Sequence, residues 1–139
     1  MPFTPYHLGP GLLFGLLFVS VIDFPTFLVA NCVVDVEPLL VMAFRLDYPL
    51  HGFFHSLIGG TLVAVALALV MTKIRDKLTP LMTFFKIEQK VSSKKIFAAA
   101  LSGVYFHILL DSRLYTDIQP FYPVADNPFL TTGVLAGLD

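Results

Sequence analysis

The stretch HGFFHSLIGGTLVAVALALVMT, residues 51–72, is long and apolar enough to cross a bilayer as a helix. It begins with two histidines spaced four residues apart, His51 and His55. An imidazole is costly to leave unpaired in hydrocarbon, and ionisable groups at that depth are commonly paired or functional. The span therefore sets the fold class and raises the question of what its histidines meet.

The rest of the chain has the same character. Of its 139 residues 56% are hydrophobic and only 14% are charged, against about 25% charged in a soluble domain. Three further runs read as spans, at about residues 8–24, 26–44 and 96–114, alongside 52–72. Each is expected to be helical, because a strand exposed to lipid leaves backbone groups unsatisfied. The expected fold is one all-α domain, an integral membrane bundle of about four transmembrane helices. No basic start region precedes the first apolar run, which is expected to stay in the mature protein. The single cysteine, Cys32, forms no internal disulfide and reads as a small buried hydrophobe.

Seven of the nine lysines and arginines fall between Lys73 and Lys95. Such clustering marks the 73–95 loop as cytoplasmic in a plasma or inner membrane. Within it, LMTFFKI could lie at the interface. The start of the third span and the end of the fourth then approach the extracytoplasmic side. Residues 115–139 carry Pro120, Pro123 and Pro128, which do not continue a helix, and are expected to form an outer cap with a short last helix starting near Asn127. The basic residues form an ordinary inside-loop pattern, which gives no support to nucleic-acid binding. The lipid bilayer is the expected partner, and the sequence sets no oligomeric state.

All four histidines, His7, His51, His55 and His107, fall on the outer side of this topology. Positions four apart share a helix face, which pairs His51 with His55 and His107 with Asp111. At a rise of about 1.5 Å per residue, Asp35 lies roughly 14 Å and His107 roughly 17 Å above the inner boundary. These groups converge in the outer half of the bundle. Neutral imidazole and carboxylate are the ordinary ligands of divalent transition metals, zinc first, and the donor set suffices for one or two ions. A cation also keeps buried carboxylates ionised. The expected ligands are His7, Asp35, His51, His55, His107, Asp111 and Asp117. Glu37 and Asp35 are the expected catalytic carboxylates, Glu37 to take the proton and Asp35 to bridge or bind a second ion, although on a regular helix two residues apart they face different ways. Asp23 is expected to cap or break the inner turn, and the LIGG glycines to serve close helix packing. The plainer alternative is that the same polar groups hold helices together without a metal.

Taken together, TPYHLGPGLL, DVEP, HGFFHS, HILLDS and DIQPF resemble the YdjM-like family of predicted membrane-bound metal-dependent hydrolases. The resemblance covers nearly the whole chain apart from the 73–95 loop and the last dozen residues. The family's motif positions fall on His7, Asp35, Glu37, His51, His55, His107, Asp111 and Asp117. Where relatives often carry a basic residue after the first histidine of the third motif, this chain has Gly52. The resemblance implies hydrolysis of a lipid-linked phosphoester or other ester at the outer membrane boundary. The second expectation is a non-enzymatic membrane protein that binds or conducts a metal ion or proton, since His and Asp at bilayer depth also mark ion pathways.

Overall fold

A computed structural model describes residues 5–131, and the regular structure among them is entirely helical. The helices are α1 (Pro5–Leu17), α2 (Phe24–Val33), α3 (Val36–Phe44), α4 (Leu57–Ile74), α5 (Thr79–Phe84) and α6 (Ser93–Ser112), with 3-10 turns at Phe53–His55 and Arg75–Leu78. Three continuous or nearly continuous segments, Phe24–Phe44, Leu57–Phe84 and Ser93–Ser112, are long and apolar enough to cross a membrane. The fourth apolar helix, α1, is shorter. The chain is a membrane protein by the length and composition of these helices.

Four boundaries differ from the sequence reading, for local reasons. Helix α1 starts earlier and ends at Leu17 instead of continuing to residue 24, and bonds within residues 18–22 turn the chain toward α2. The span at 26–44 is interrupted at Val34 and Asp35. Pro38 has no N–H to donate toward the Val34 carbonyl, and its ring crowds that oxygen. Glu37 N bonds Val34 O instead, and a tight turn separates α2 from α3. The third helix starts at Leu57, because Ser56 caps it by accepting from Gly59 N at 3.0 Å. His51 and His55 therefore lie on a 3-10 turn and its approach, not on one α-helical face. The last long helix begins at Ser93, capped by Ser92, and ends at Ser112.

Helix α6 packs between α2 and α4, and α1 packs on α2. The seam is lined by small residues: Ala30 from α2, Ala64 and Ala68 from α4, and Ala99, Ala100 and Gly103 from α6. Small side chains let helices approach where lipid supplies no hydrophobic drive for association. A Cβ at Gly103 would sit 2.5 Å from Ala30 Cβ and 2.9 Å from Phe27 O. Of the LIGG glycines, Gly60 serves the same purpose, since a Cβ there would meet Ile108 Cδ1 at 2.5 Å, whereas Gly59 makes room for Phe53 of the preceding 3-10 turn. Large apolar side chains such as Leu13, Leu17, Leu62 and Leu69 point outward instead. The molecule is thus apolar outside and polar at two places inside.

Those two places lie at opposite ends of α4, whose 18 residues span about 27 Å. One is a His/Asp cluster near Ser56. The other is the turn at Asp23, which caps α2 and accepts from the buried Arg75 Nε at 2.6 Å. Gln89 secures the same turn, donating to Val19 O and Ile22 O and accepting from Phe24 N. The cap segment is tied back at the other end, through Leu57 N to Pro120 O at 2.8 Å and Asn127 Nδ2 to Ser112 O at 2.8 Å. Residues 128–129 form a turn within an otherwise irregular 127–131 stretch, and the remainder of the expected last helix lies outside the described residues.

The seam predicts a sharp contrast between two glycines. Gly103→Val should lower unfolding stability in detergent by about 1–3 kcal/mol through overpacking. Gly9→Ala, whose Cβ would meet nothing within 4 Å, should leave it within about 0.5 kcal/mol. Thermal unfolding of both variants checks this.

Candidate metal centre

The break between α2 and α3 builds one wall of the cluster. On an unbroken helix Asp35 and Glu37 would diverge, but the turn forced by Pro38 directs both into the bundle, where each is buried. Asp35 faces α6, with Oδ1 3.5 Å from His107 Nε2. Glu37 faces the 3-10 turn instead. It accepts from His55 Nδ1 at 2.9 Å, from Gly52 N at 3.1 Å and from Phe54 N at 3.2 Å. Helix α6 supplies His107 and Asp111 one turn apart, and the start of α1 supplies His7.

Three of the four imidazoles share one arrangement. His51 Nδ1 lies 2.9 Å from Asp117 Oδ1, His55 Nδ1 2.9 Å from Glu37 Oε2, and His107 Nδ1 2.7 Å from Asn31 O. Carboxylate and carbonyl oxygens only accept, which assigns the ring proton to Nδ1 in each case. The Nε2 atoms of the same three histidines are buried and make no hydrogen bond. A neutral imidazole in that tautomer presents its lone pair at Nε2, and an acceptor behind the ring is the usual support of a metal-ligating histidine. His7 is placed differently, with Nε2 2.9 Å from Asp111 Oδ1 and Nδ1 buried without a hydrogen bond.

Asp111, 2% exposed, stands at the centre. Its Oδ1 faces His7 and its Oδ2 lies 3.4 Å from His107 Nε2. Two groups of donors that could hold a metal ion converge there: His7, Asp35, His107 and Asp111 in one, and His51, His55 and Asp111 in the other. Within each group the donor atoms lie within 4.8 Å of one another, and every member is buried. The rings pack directly, with centroids of His7 and His107 4.1 Å apart, His51 and His55 4.8 Å, and His55 and His107 5.4 Å. Among the described residues, the ion-pair partners of Glu37, Asp111 and Asp117 are histidines. Neutral imidazoles do not balance buried carboxylates, whereas a divalent cation does.

The groups beyond the spans show the same field. Burial pushes the His55 imidazole below its ordinary pKa, although the bond to Glu37 works in the opposite direction. Burial alone would raise the Asp117 carboxyl, but its bond to His51 outweighs this and holds it below the ordinary value. The Tyr115 phenol is pushed up to about 12 by burial and by the nearby Asp111, Asp35 and Asp117 charges.

All the residues expected from the sequence to form the site are drawn together, at two depths. His7, Asp35, His51, His55, His107 and Asp111 surround the common volume. Glu37 and Asp117 stand behind it, bonded to the far nitrogens of His55 and His51. Two participants escaped the sequence reading. Tyr115 stacks on His51 with centroids 4.3 Å apart, and its spacing of four from Asp111 was the available signal. Asn31 holds His107 through its backbone carbonyl, which no side-chain pattern reveals. The sequence matches no protein-family model, and no curated protein or solved structure is significantly similar to it.

Replacing the acceptor behind His55 isolates the contribution of ring orientation. Glu37→Gln keeps the shape and removes the charge. Zinc affinity at the site should fall by about 10–100-fold, with the saturating stoichiometry unchanged, as read by competition with a chromogenic chelator.

Proposed function

We propose that the cluster is a two-ion metal centre of a membrane-embedded hydrolase, acting on a lipid-linked phosphoester or ester at the outer membrane boundary. The observation that carries this reading is the set of three buried Nε2 atoms, each without a hydrogen bond and each backed by an acceptor at Nδ1, grouped around Asp111. Zinc is the first choice by ligand type. His7, Asp35, His107 and Asp111 would hold one ion. His51, His55 and Asp111 would hold the other, with Asp111 shared.

The two subsites differ in a way that favours catalysis over a purely structural role. Four protein donors complete a tetrahedral site, whereas three leave a position for water or substrate. The His51, His55 and Asp111 group offers three donors. When bound, the ions supply Lewis acidity, bringing water toward ionisation near neutral pH and drawing charge from a phosphoryl or carbonyl oxygen.

The roles follow the geometry. Glu37 is a positioning residue, because its oxygens already accept from His55, Gly52 and Phe54. Asp117 does the same for His51 through both the ring and the backbone N–H. Asp35 belongs to the four-donor group, as a ligand of its ion. A cavity of about 210 Å³ lies against His51 and Asp117, lined also by Tyr48, Phe53 and Tyr122. These aromatic, hydroxyl-bearing walls suit a headgroup entering from the lipid boundary. The basic 73–95 segment, at the opposite end of α4, supports an extracytoplasmic position for the centre in a plasma or inner membrane. The resemblance to the YdjM-like family points to the same class of chemistry.

Protein loaded with zinc in mixed micelles should release product from a lipid phosphomonoester or phosphodiester probe. His51→Ala should lower the rate at least about 100-fold, the scale of a group acting on the reacting centre, while leaving the His7 group loaded. Full metal occupancy without turnover of any phosphoester or carboxylic ester probe would instead favour a protein that binds or passes the ion.

A further inference from the structure

The end of the bundle remote from the histidines carries a second polar feature, which the proposed reaction does not use. Arg75 is 2% exposed, and its Nε is committed to Asp23. Its Nη1 is buried without a hydrogen-bond partner. Neighbouring acceptors are occupied: Asp23 Oδ2 accepts from both the backbone N–H and the hydroxyl of Thr26, and Gln89 Oε1 accepts from Phe24 N. A buried guanidinium N–H with no acceptor is costly, which points to a missing partner.

Arg75 forms the buried charged wall of a cavity of about 230 Å³, whose rim carries the exposed Thr79, Thr83 and Glu88. Guanidinium and hydroxyl groups are donors suited to a phosphate oxygen. Glu88 argues against a bare anion. Because Asp23 already balances Arg75, the carboxylate of Glu88 leaves the lining net negative, and an isolated phosphate would be repelled. A phosphate that carries its own ammonium group satisfies both sides. The location fits a lipid headgroup, since the cavity lies where the Leu57–Phe84 segment ends and the neighbouring Phe84 and Phe85 are 77% and 59% exposed.

We infer that the cavity between Arg75, Thr79, Thr83 and Glu88 binds a phosphoethanolamine group, with the phosphate on Arg75 Nη1 and the threonine hydroxyls and the ammonium on Glu88. A phosphocholine has no N–H to donate to Glu88, and a phosphoglycerol has no cation. The inference is independent of the metal centre and of hydrolysis.

Native mass spectrometry of the full chain, released from nanodiscs containing equal phosphatidylethanolamine, phosphatidylglycerol and phosphatidylcholine, tests it. The expected result is one preferentially retained phosphatidylethanolamine per chain. Arg75 variants leave Asp23 buried and unpaired and are liable to misfold, so the informative change is at exposed Glu88. Glu88→Gln should lower the preference for phosphatidylethanolamine over phosphatidylglycerol by about fivefold, the scale of one partly exposed ion pair. Thr83→Ala should weaken retention of phosphatidylethanolamine without changing that preference. Soluble glycerophosphoethanolamine separates the sources: competition shows that the headgroup alone suffices, and retention despite it shows that the acyl chains contribute. Equal retention of the three lipids, a preference unchanged in Glu88→Gln, or a cavity that holds water only would overturn the inference.

Discussion

Carboxylates inside an apolar bundle must be compensated, and most of this structure is arranged around how that is done. Asp35, Glu37 and Asp111 are all buried, where an uncompensated charge would cost several kcal/mol. At the turn remote from the histidines the same problem is met conventionally, by Arg75 on Asp23. At the histidine end no such cation stands against Glu37 or Asp111 among the described residues, and imidazoles surround them instead. The interrupted α2–α3 span, the 3-10 turn before α4 and the tied-back cap all serve to bring those imidazoles to the carboxylates.

The hydrogen bonds behind the rings turn a polar cluster into a directional one. If the histidines merely held helices together, both ring nitrogens would be expected to find partners. Instead His51, His55 and His107 each use Nδ1 and leave Nε2 without a hydrogen bond, that of His107 facing Asp35 and Asp111 at 3.5 and 3.4 Å. Glu37 and Asp117 lie on different elements from their partners yet make the same kind of contact. Such repetition across independent elements is the pattern expected of ligands held for a metal.

Much of this was legible in residue spacing, and the rest depended on contacts between distant residues. Helical spans follow from apolar length, and the pairing of His107 with Asp111 follows from a spacing of four on one helix. The nearness of His51 to His55 was also anticipated, but for the wrong local reason, because Ser56 caps the helix after them. The cap was itself readable, as a serine directly before an apolar run. Pro38 gave the signal for the break that turns Asp35 and Glu37 the same way. By contrast, Glu37 meeting His55, Asp117 meeting His51, Gln89 clamping the turn before α2 and Arg75 meeting Asp23 are pairings over 18, 66, 67 and 52 residues. No local pattern encodes them, and they separate the groups facing the centre from those that support it.

Metal content by elemental analysis reads out whether Asp111 joins two ion sites. Detergent-purified protein, prepared without chelator and supplied with zinc, should hold two zinc ions per chain, and a folded Asp111→Asn variant should hold fewer than one. An unchanged low metal content in both proteins, with both folded, would leave the cluster as polar packing between helices.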